Sequence, residues 1–180
     1  FNEEITKSDP RRAKIKAVLL GISYGMSKYG LARQEDISVD EADQLLNDVL
    51  EILHGVRAYI QKQSQNINNI RTLENRKLNV NPYDNQHERN AINGPTQGTA
   101  SAMKKLSLIR MFREWKPEWG VFGVVGECHD EIILDVPKEF ASEIEPWAKH
   151  IMEDEANKMI PDHGVKFVVD THIGDTWASK

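Results

Sequence analysis

The chain has 180 residues, 39% of them hydrophobic, and a formal net charge of −5. That length and apolar content support a buried core in one large or two small domains and make order, not disorder, the default reading. No apolar run is long enough for a membrane-spanning helix, the acidic start Phe1-Asn2-Glu3-Glu4 reads as neither a signal nor an Arg-rich transit peptide, and the lone Cys128 excludes an internal disulfide and a cysteine-built zinc site. A soluble protein of a reducing, cytoplasmic compartment is expected, away from membranes, with Cys128 as a packing residue.

The charge is blocked. Residues 1–33 carry +4 and residues 61–110 carry +5, whereas residues 34–60 carry −6 and residues 111–180 carry −8. Basic segments suit phosphates and an acidic region suits metal ions, although solubility alone is the commoner reason for such blocks.

In chain order, Asp9-Pro10 places a cap before a first-turn proline, and Ile15, Val18, Leu19 and Ile22 recur at helical spacing. A helix over about residues 10–24 is expected, giving way to a turn region around Gly25 and Gly30. Ser38-Val39-Asp40-Glu41 is a capping box, followed by a stripe of Ala42, Leu45, Leu46, Val49, Ile52, Leu53, Val56 and Ile60, with a break expected at His54-Gly55. Residues 70–80 read as a hairpin turning near Glu74-Asn75. A helical pattern resumes over about residues 86–115, with Gly94-Pro95 expected to kink or interrupt it. The period then changes to two strands over 121–128 and 131–136 joined at His129-Asp130, a helix marked by Phe140, Ile144, Trp147, Ile151 and Met159, and a last strand through Val165, Phe167 and Val169. The expected class is α+β, a mostly helical segment over residues 1–84 and an antiparallel-sheet part with packed helices over residues 85–180.

At about 100° per residue, the core stripe of the first helix centres on Ile15 and Ile22, and Leu20 points roughly 150° away from it. Arg12, Lys16 and Leu20 follow i, i+4, i+8 spacing, so two cations and an apolar side chain share one flank, a surface suited to a triphosphate beside a base or sugar. An ordinary solvated basic face explains the spacing as well, and more commonly. Arg89, Asn93 and Gln97 repeat the spacing later in the chain, if the helix continues through Pro95. Such donors suit the minor-groove acceptors that every base pair presents alike, with plain surface polarity as the commoner explanation. The turn at His129-Asp130-Glu131 offers carboxylate oxygens to a hard cation, or is simply a polar turn.

The order and content of these segments are more specific than their spacing. The run Arg12-x-x-x-Lys16-x-x-x-Leu20-Gly21-x-x-Tyr24-Gly25, followed by Met26-Ser27 and Gly30-Leu31-Ala32, closely resembles motif B, the O helix of the family A DNA polymerases that include bacterial DNA polymerase I. The resemblance implies that Arg12 and Lys16 hold the triphosphate of an incoming nucleotide and that Tyr24 sits by the templating base. Family members usually carry Phe or Tyr where Leu20 stands, so the resemblance does not extend to ring stacking there or to discrimination at the sugar 3′ position. Residues 88–100 are similar to the family's Q-helix signature, which implies minor-groove contacts from Arg89, Asn93 and Gln97. Cys128-His129-Asp130-Glu131-Ile132 resembles motif C, implying that Asp130 is a metal ligand, Glu131 an auxiliary catalytic carboxylate and His129 a contact to the primer end. Glu127 stands where Gln is common, which implies a weakened or replaced DNA contact. Gly174-Asp175-Thr176-Trp177 is similar to the family's C-terminal Gly-Glu-Asn-Trp, so Lys180 is expected near the natural end.

The activity implied is template-directed addition of deoxynucleoside triphosphates to a primer on template DNA, with two Mg²⁺ ions and with Lys16 as proton donor to the leaving pyrophosphate. It implies the cytoplasm of a bacterium or of a phage-infected bacterial cell. Motif A, which supplies a further metal-binding Asp, is not found in the chain. A second polypeptide carrying motif A, the thumb and the remaining palm is therefore expected. A non-catalytic DNA-binding subunit of polymerase architecture, and less favoured a metal-dependent nuclease around His129 and Asp130, are the alternatives.

Overall fold

The computed structural model describes residues 10–161 and 164–179, so the expected cap Asp9, and with it the side chain of Ile15, fall outside what can be described. The fold consists of two compact units, Phe1–Gln97 and Gly98–Lys180, and the division falls inside a long helix. Helices dominate both. Among the described residues the sheet is one antiparallel strand pair, and the expected α+β class holds.

In the first unit, α1 (Pro10–Ser23) buries Val18 and Ile22 against Leu31, Ala32 and Ala42. Leu19, expected on the same stripe, is instead 37% exposed: this small cluster covers an i, i+4 pair and not the neighbouring flank. The region expected as a turn after α1 holds a further helix, α2 (Lys28–Glu35), with Ser27 as its N-cap accepting from the Gly30 amide at 3.3 Å. One good cap and the burial of Leu31 outweigh the roughly 1 kcal/mol that a helical glycine costs.

The capping box of α3 (Val39–Ile52) forms as expected: Ser38 Oγ accepts from the Glu41 amide at 3.2 Å and the Ser38 amide donates to Glu41 Oε2 at 2.9 Å. The bonds from the Ser38 hydroxyl and amide hold the Glu41 carboxyl below the usual carboxylate range. The expected break comes one residue early, at Leu53, and α4 starts at His54 (His54–Gln65). Ile52 falls at the break and is 77% exposed rather than buried.

The expected hairpin survives as a single antiparallel bridge, Arg71 to Lys77, with the Leu78 amide donating to the Ile70 carbonyl at 2.9 Å and Asn75 turning at φ +67°. Helix α5 (His87–Glu114) then runs through Pro95 without interruption. Proline has no N–H, so the Ala91 carbonyl loses its helical donor; nearby, the Tyr59 hydroxyl donates to the Ile92 carbonyl at 2.8 Å. Burial pushes the Tyr59 hydroxyl above its ordinary pKa.

The second unit packs the end of α5 against strands β1 (Val124–Cys128) and β2 (Glu131–Leu134) and helix α6 (Ala141–Met159). Met111, Ala148 and Ile151 form its buried centre, with Phe122, Ile132, Leu134, Trp147 and Met152 around them. Arg110 of α5 ties to Glu114 on its own helix and to Asp154 and Glu155 of α6, and those carboxylates, Glu114 foremost, raise its pKa. The strand register pairs Cys128 with Glu131 and Glu127 with Ile132, with an irregularity between Val124 and Gly126, and β1 begins at Val124 rather than at the expected residue 121. A Cβ at Gly123 would lie 2.2 Å from the Asp135 carbonyl oxygen, so only glycine allows the chain to close below the strands, where the Asp135 amide donates to the Gly123 carbonyl at 2.7 Å.

The last expected strand does not form among the described residues. Side chains of α6 take up its backbone groups instead. Asn157 Nδ2 donates to the Phe167 carbonyl at 3.2 Å while the Phe167 amide donates to Asn157 Oδ1 at 3.0 Å, and the Val169 amide donates to Glu153 Oε1 at 2.9 Å. A strand needs a ladder partner, and this segment has a helix beside it.

Candidate functional site

The sequence-derived site residues fall into two groups, one in each unit. In the first unit, Arg12, Lys16 and Leu20 are all exposed on α1, with Leu20 at 44%, while Val18 and Ile22 are buried. Leu20 is thus off the core, as the helical geometry requires. Tyr24 caps the helix end, its amide donating to the Leu20 carbonyl at 2.9 Å, and its ring is 39% exposed.

The glycines of this run have separate reasons. Gly21 is buried where a Cβ would meet the Met26 side chain at 2.7 Å. Gly25 turns at φ +70°, and a Cβ there would lie 3.3 Å from Arg89 Cα and 3.4 Å from Ile92 Cδ1. The end of α1 therefore abuts the first turns of α5, and the Arg12 row and the Arg89 row belong to one packed unit although more than sixty residues separate Gly25 from Arg89. Gly25→Ala should destabilise the protein by about 1–2 kcal/mol, since left-handed backbone and close approach act together. Thermal melting checks this, and an unchanged midpoint would mean that the contact is dispensable.

Because α5 is continuous through Pro95, Arg89, Asn93 and Gln97 do share one face. Arg89 and Gln97 are exposed and Asn93 is half-buried. Asn93 Oδ1 is buried without a hydrogen-bond partner among the described residues. A buried acceptor left unmatched costs free energy, and such atoms concentrate where function has a claim on the side chain.

In the second unit, His129 and Asp130 are the two central residues of the β1–β2 turn, both exposed. His129 has φ +52° and Asp130 does not share a positive φ, so one non-glycine residue of this two-residue turn holds the left-handed backbone that favours glycine. Strain of this kind, at about 1–3 kcal/mol, persists where the surroundings enforce it. Part of that enforcement was not visible in the sequence. Lys104, on α5, donates from Nζ to the His129 carbonyl at 2.9 Å and pairs with Glu127 Oε2 at 3.0 Å. Trp177 was expected only as a family signature; its Nε1 donates to Glu131 Oε2 at 3.4 Å, which brings the tail to the hairpin. An acidic residue at 127 was the only sequence hint of a cation opposite it.

The donor set fits a partial magnesium site. Asp130 sits at the tip of a turn with its carboxylate in solvent, and its oxygens suit a hard cation. Glu131 follows on β2, half-buried. Among the described residues no group of three or more His, Cys, Asp or Glu side chains gathers to hold a metal ion. Mg²⁺ is commonly held by one or two carboxylates with substrate phosphates completing the shell, so Asp130 can serve as one ligand but not as the whole site. No described helix is long and apolar enough to cross a membrane.

Comparison with known proteins shows the family and the fold. Residues 1–179 match the model of DNA polymerase family A. The chain is 29% identical to DNA polymerase I of Lactococcus lactis subsp. cremoris across 97% of its length, and 30% identical to DNA polymerase I of Caldicellulosiruptor bescii across 98%. It spans only 20% and 22% of those proteins, about a fifth of their length. The fold is similar to the POL domain of Pol1 from M. smegmatis, solved in complex with DNA primer-template and dNTP, with a TM-score of 0.72 and 25% identity over 86% of this chain and 29% of that one. With the family model matching almost from end to end, the chain belongs to DNA polymerase family A.

Proposed function

We propose that these residues form the nucleotide-binding fingers and the motif C part of the palm of a template-directed DNA polymerase. The observation that carries this is that the two helices bearing these rows meet within the first unit, where the turn after α1 packs against α5 at Gly25 and Arg89. A nucleotide-binding helix and a minor-groove helix must adjoin if the incoming nucleotide is to be tested against the newest base pair.

In this reading Arg12 and Lys16 offset the charge of a deoxynucleoside triphosphate, Leu20 contacts the nucleotide without a ring, and Tyr24 lies by the templating base. Arg89, Asn93 and Gln97 read the shape of the nascent pair through minor-groove acceptors, and His129 steadies the primer end. Asp130 holds magnesium and Glu131 supports it. Magnesium in such a site supplies Lewis-acid stabilisation of the charge on the phosphoryl and leaving oxygens. A bond forms between the primer 3′ oxygen and the α-phosphorus as the bond to pyrophosphate breaks; the 3′ proton leaves to solvent and Lys16 gives a proton to pyrophosphate. The second carboxylate that this chemistry needs comes from a segment outside these 180 residues, in the same polypeptide or in a second one that also supplies the thumb and the rest of the palm. A cytoplasmic, DNA-bound location goes with this role.

The test is primer extension by the complete assembly. Extension that requires all four nucleotides and Mg²⁺ supports the polymerase reading. Tight primer-template binding without extension would replace it with a non-catalytic DNA-binding role, and shortening of the DNA without added nucleotides would replace it with a nuclease.

A further inference from the structure

The turn that carries Asp130 is held by a residue that no motif marks. Lys104 lies on α5, seven residues beyond Gln97, and its side chain is only 15% exposed although it ends in an ammonium group. That group has two anchors in the second unit, the His129 carbonyl at 2.9 Å and Glu127 Oε2 at 3.0 Å. The first anchor is the backbone of the strained residue itself, at φ +52°. A non-glycine residue in that conformation tends to relax, and relaxation would swing the peptide joining His129 to Asp130. The second anchor is a side chain on β1, 58% exposed, whose charge near DNA would repel phosphates if it were left unpaired. Lys104 meets both needs from one point. It is long enough to span from helix to turn while its stem stays covered by the helix and hairpin.

We propose that Lys104 is a positioning residue for Asp130: its ammonium clamps the His129 carbonyl, fixes the strained turn against α5, and thereby sets where the Asp130 carboxylate stands. Lys104 anchors to the turn's backbone and to Glu127, and not to the Asp130 carboxylate itself. It acts through the backbone, and the pairing with Glu127 offsets that carboxylate's charge without being needed for the clamp. The proposal rests on the polymerase reading, because only there does the position of Asp130 govern a rate.

The experiment uses the complete polymerase with Lys104→Met, Lys104→Arg, Glu127→Gln and Asp130→Ala. Three measurements are made: single-turnover extension at saturating DNA, the Mg²⁺ concentration for half-maximal rate, and hydrogen exchange of residues 128–131 without metal or DNA. Lys104→Met should lower the rate and raise the Mg²⁺ requirement by about tenfold, the scale on which residues that orient metal ligands act. It should also speed exchange in the turn, a readout independent of activity. Lys104→Arg, which can still donate to a carbonyl, should recover most of the rate. Glu127→Gln removes the ion pair and leaves the carbonyl clamp, so turn exchange and the Mg²⁺ requirement should stay at their wild-type values whatever happens to DNA affinity.

Two outcomes overturn the clamp. One is a Lys104→Met enzyme with normal Mg²⁺ dependence and normal turn exchange. The other is equal changes in Lys104→Met and Glu127→Gln, which would make the ion pair and not the carbonyl bond responsible. Asp130→Ala separates the two levels of inference: if that variant still extends primers, the polymerase reading of the turn fails, whereas its inactivity with an unaffected Lys104→Met variant sinks the clamp alone. Melting temperatures accompany each variant, and a Lys104→Met protein that fails to fold transfers the test to Lys104→Arg and Glu127→Gln. A loss in Lys104→Arg that matches neither anchor, with altered turn exchange in Glu127→Gln, would then count against the clamp.

Discussion

Asp130→Ala in the complete polymerase should lower the extension rate by about a thousandfold, at the upper end of what removal of one electrostatic stabiliser costs. Primer-template binding should be almost unaffected. The reason lies in where the residue sits. Asp130 stands exposed at the tip of the β1–β2 turn, and no described group donates to it or pairs with it, so its loss leaves no buried partner unsatisfied and no cavity. The fold should therefore survive, and any loss of rate belongs to chemistry. Binding to DNA depends on cations that meet phosphates, and removing a carboxylate takes none of them away. Rapid-quench extension and a gel-shift titration with the same primer-template separate the two effects. A variant that extends within a few-fold of wild type would remove Asp130 from the metal site. One that loses binding and rate together would point instead to a structural turn.

Trp119→Ala carries the largest expected cost in stability, about 3–5 kcal/mol. Trp119 is 1% exposed in a short turn after α5. Its ring meets Trp147 of α6 edge-on at 4.8 Å and Trp115 at 5.2 Å, and Trp115 in turn meets Phe122 at 5.1 Å. Lys116 Nζ lies 4.8 Å from the Trp119 ring centre. Edge-to-face pairs add to the area that each ring buries, so one truncation opens a void and removes two ring pairs at once. Chemical denaturation followed by the remaining tryptophans measures this. A change below about 1 kcal/mol would show that the aromatic group is ornamental to the core, since well-packed truncations cost several times that. The consequence reaches function indirectly, because Phe122 leads into the strands whose turn carries Asp130.

Much of this was readable from local rules. The capping box at Ser38, the α5 pattern, the hairpin around Asn75 and the strand–turn–strand at His129-Asp130 each depend on residues close in sequence, so spacing and turn chemistry were enough. So was the exposure of Leu20, which follows from helical angle alone. Motif order then brought the family into view, and the family match bears it out.

Errors arose where a neighbour distant in sequence decided the outcome. Leu19 and Ile52 obey the helical stripe but lie exposed, because burial requires something to cover them. The segment through Phe167 alternates like a strand, yet its backbone groups bond to Asn157 and Glu153 of a helix. Pro95 was expected to kink or interrupt α5; no interruption occurs, and Tyr59 donates to the Ile92 carbonyl beside the gap.

By itself, then, the sequence determined most of the helices, the turn and the family, and it nominated the residues proposed for nucleotide, DNA and metal, because those follow from local periodicity and from motifs that local chemistry constrains. Only the tertiary structure decided that Gly25 presses on Arg89 and that Lys104 grips the His129 carbonyl. Both contacts join residues more than twenty positions apart. Their geometry exists only after the chain has closed on itself, and no spacing in the sequence encodes it.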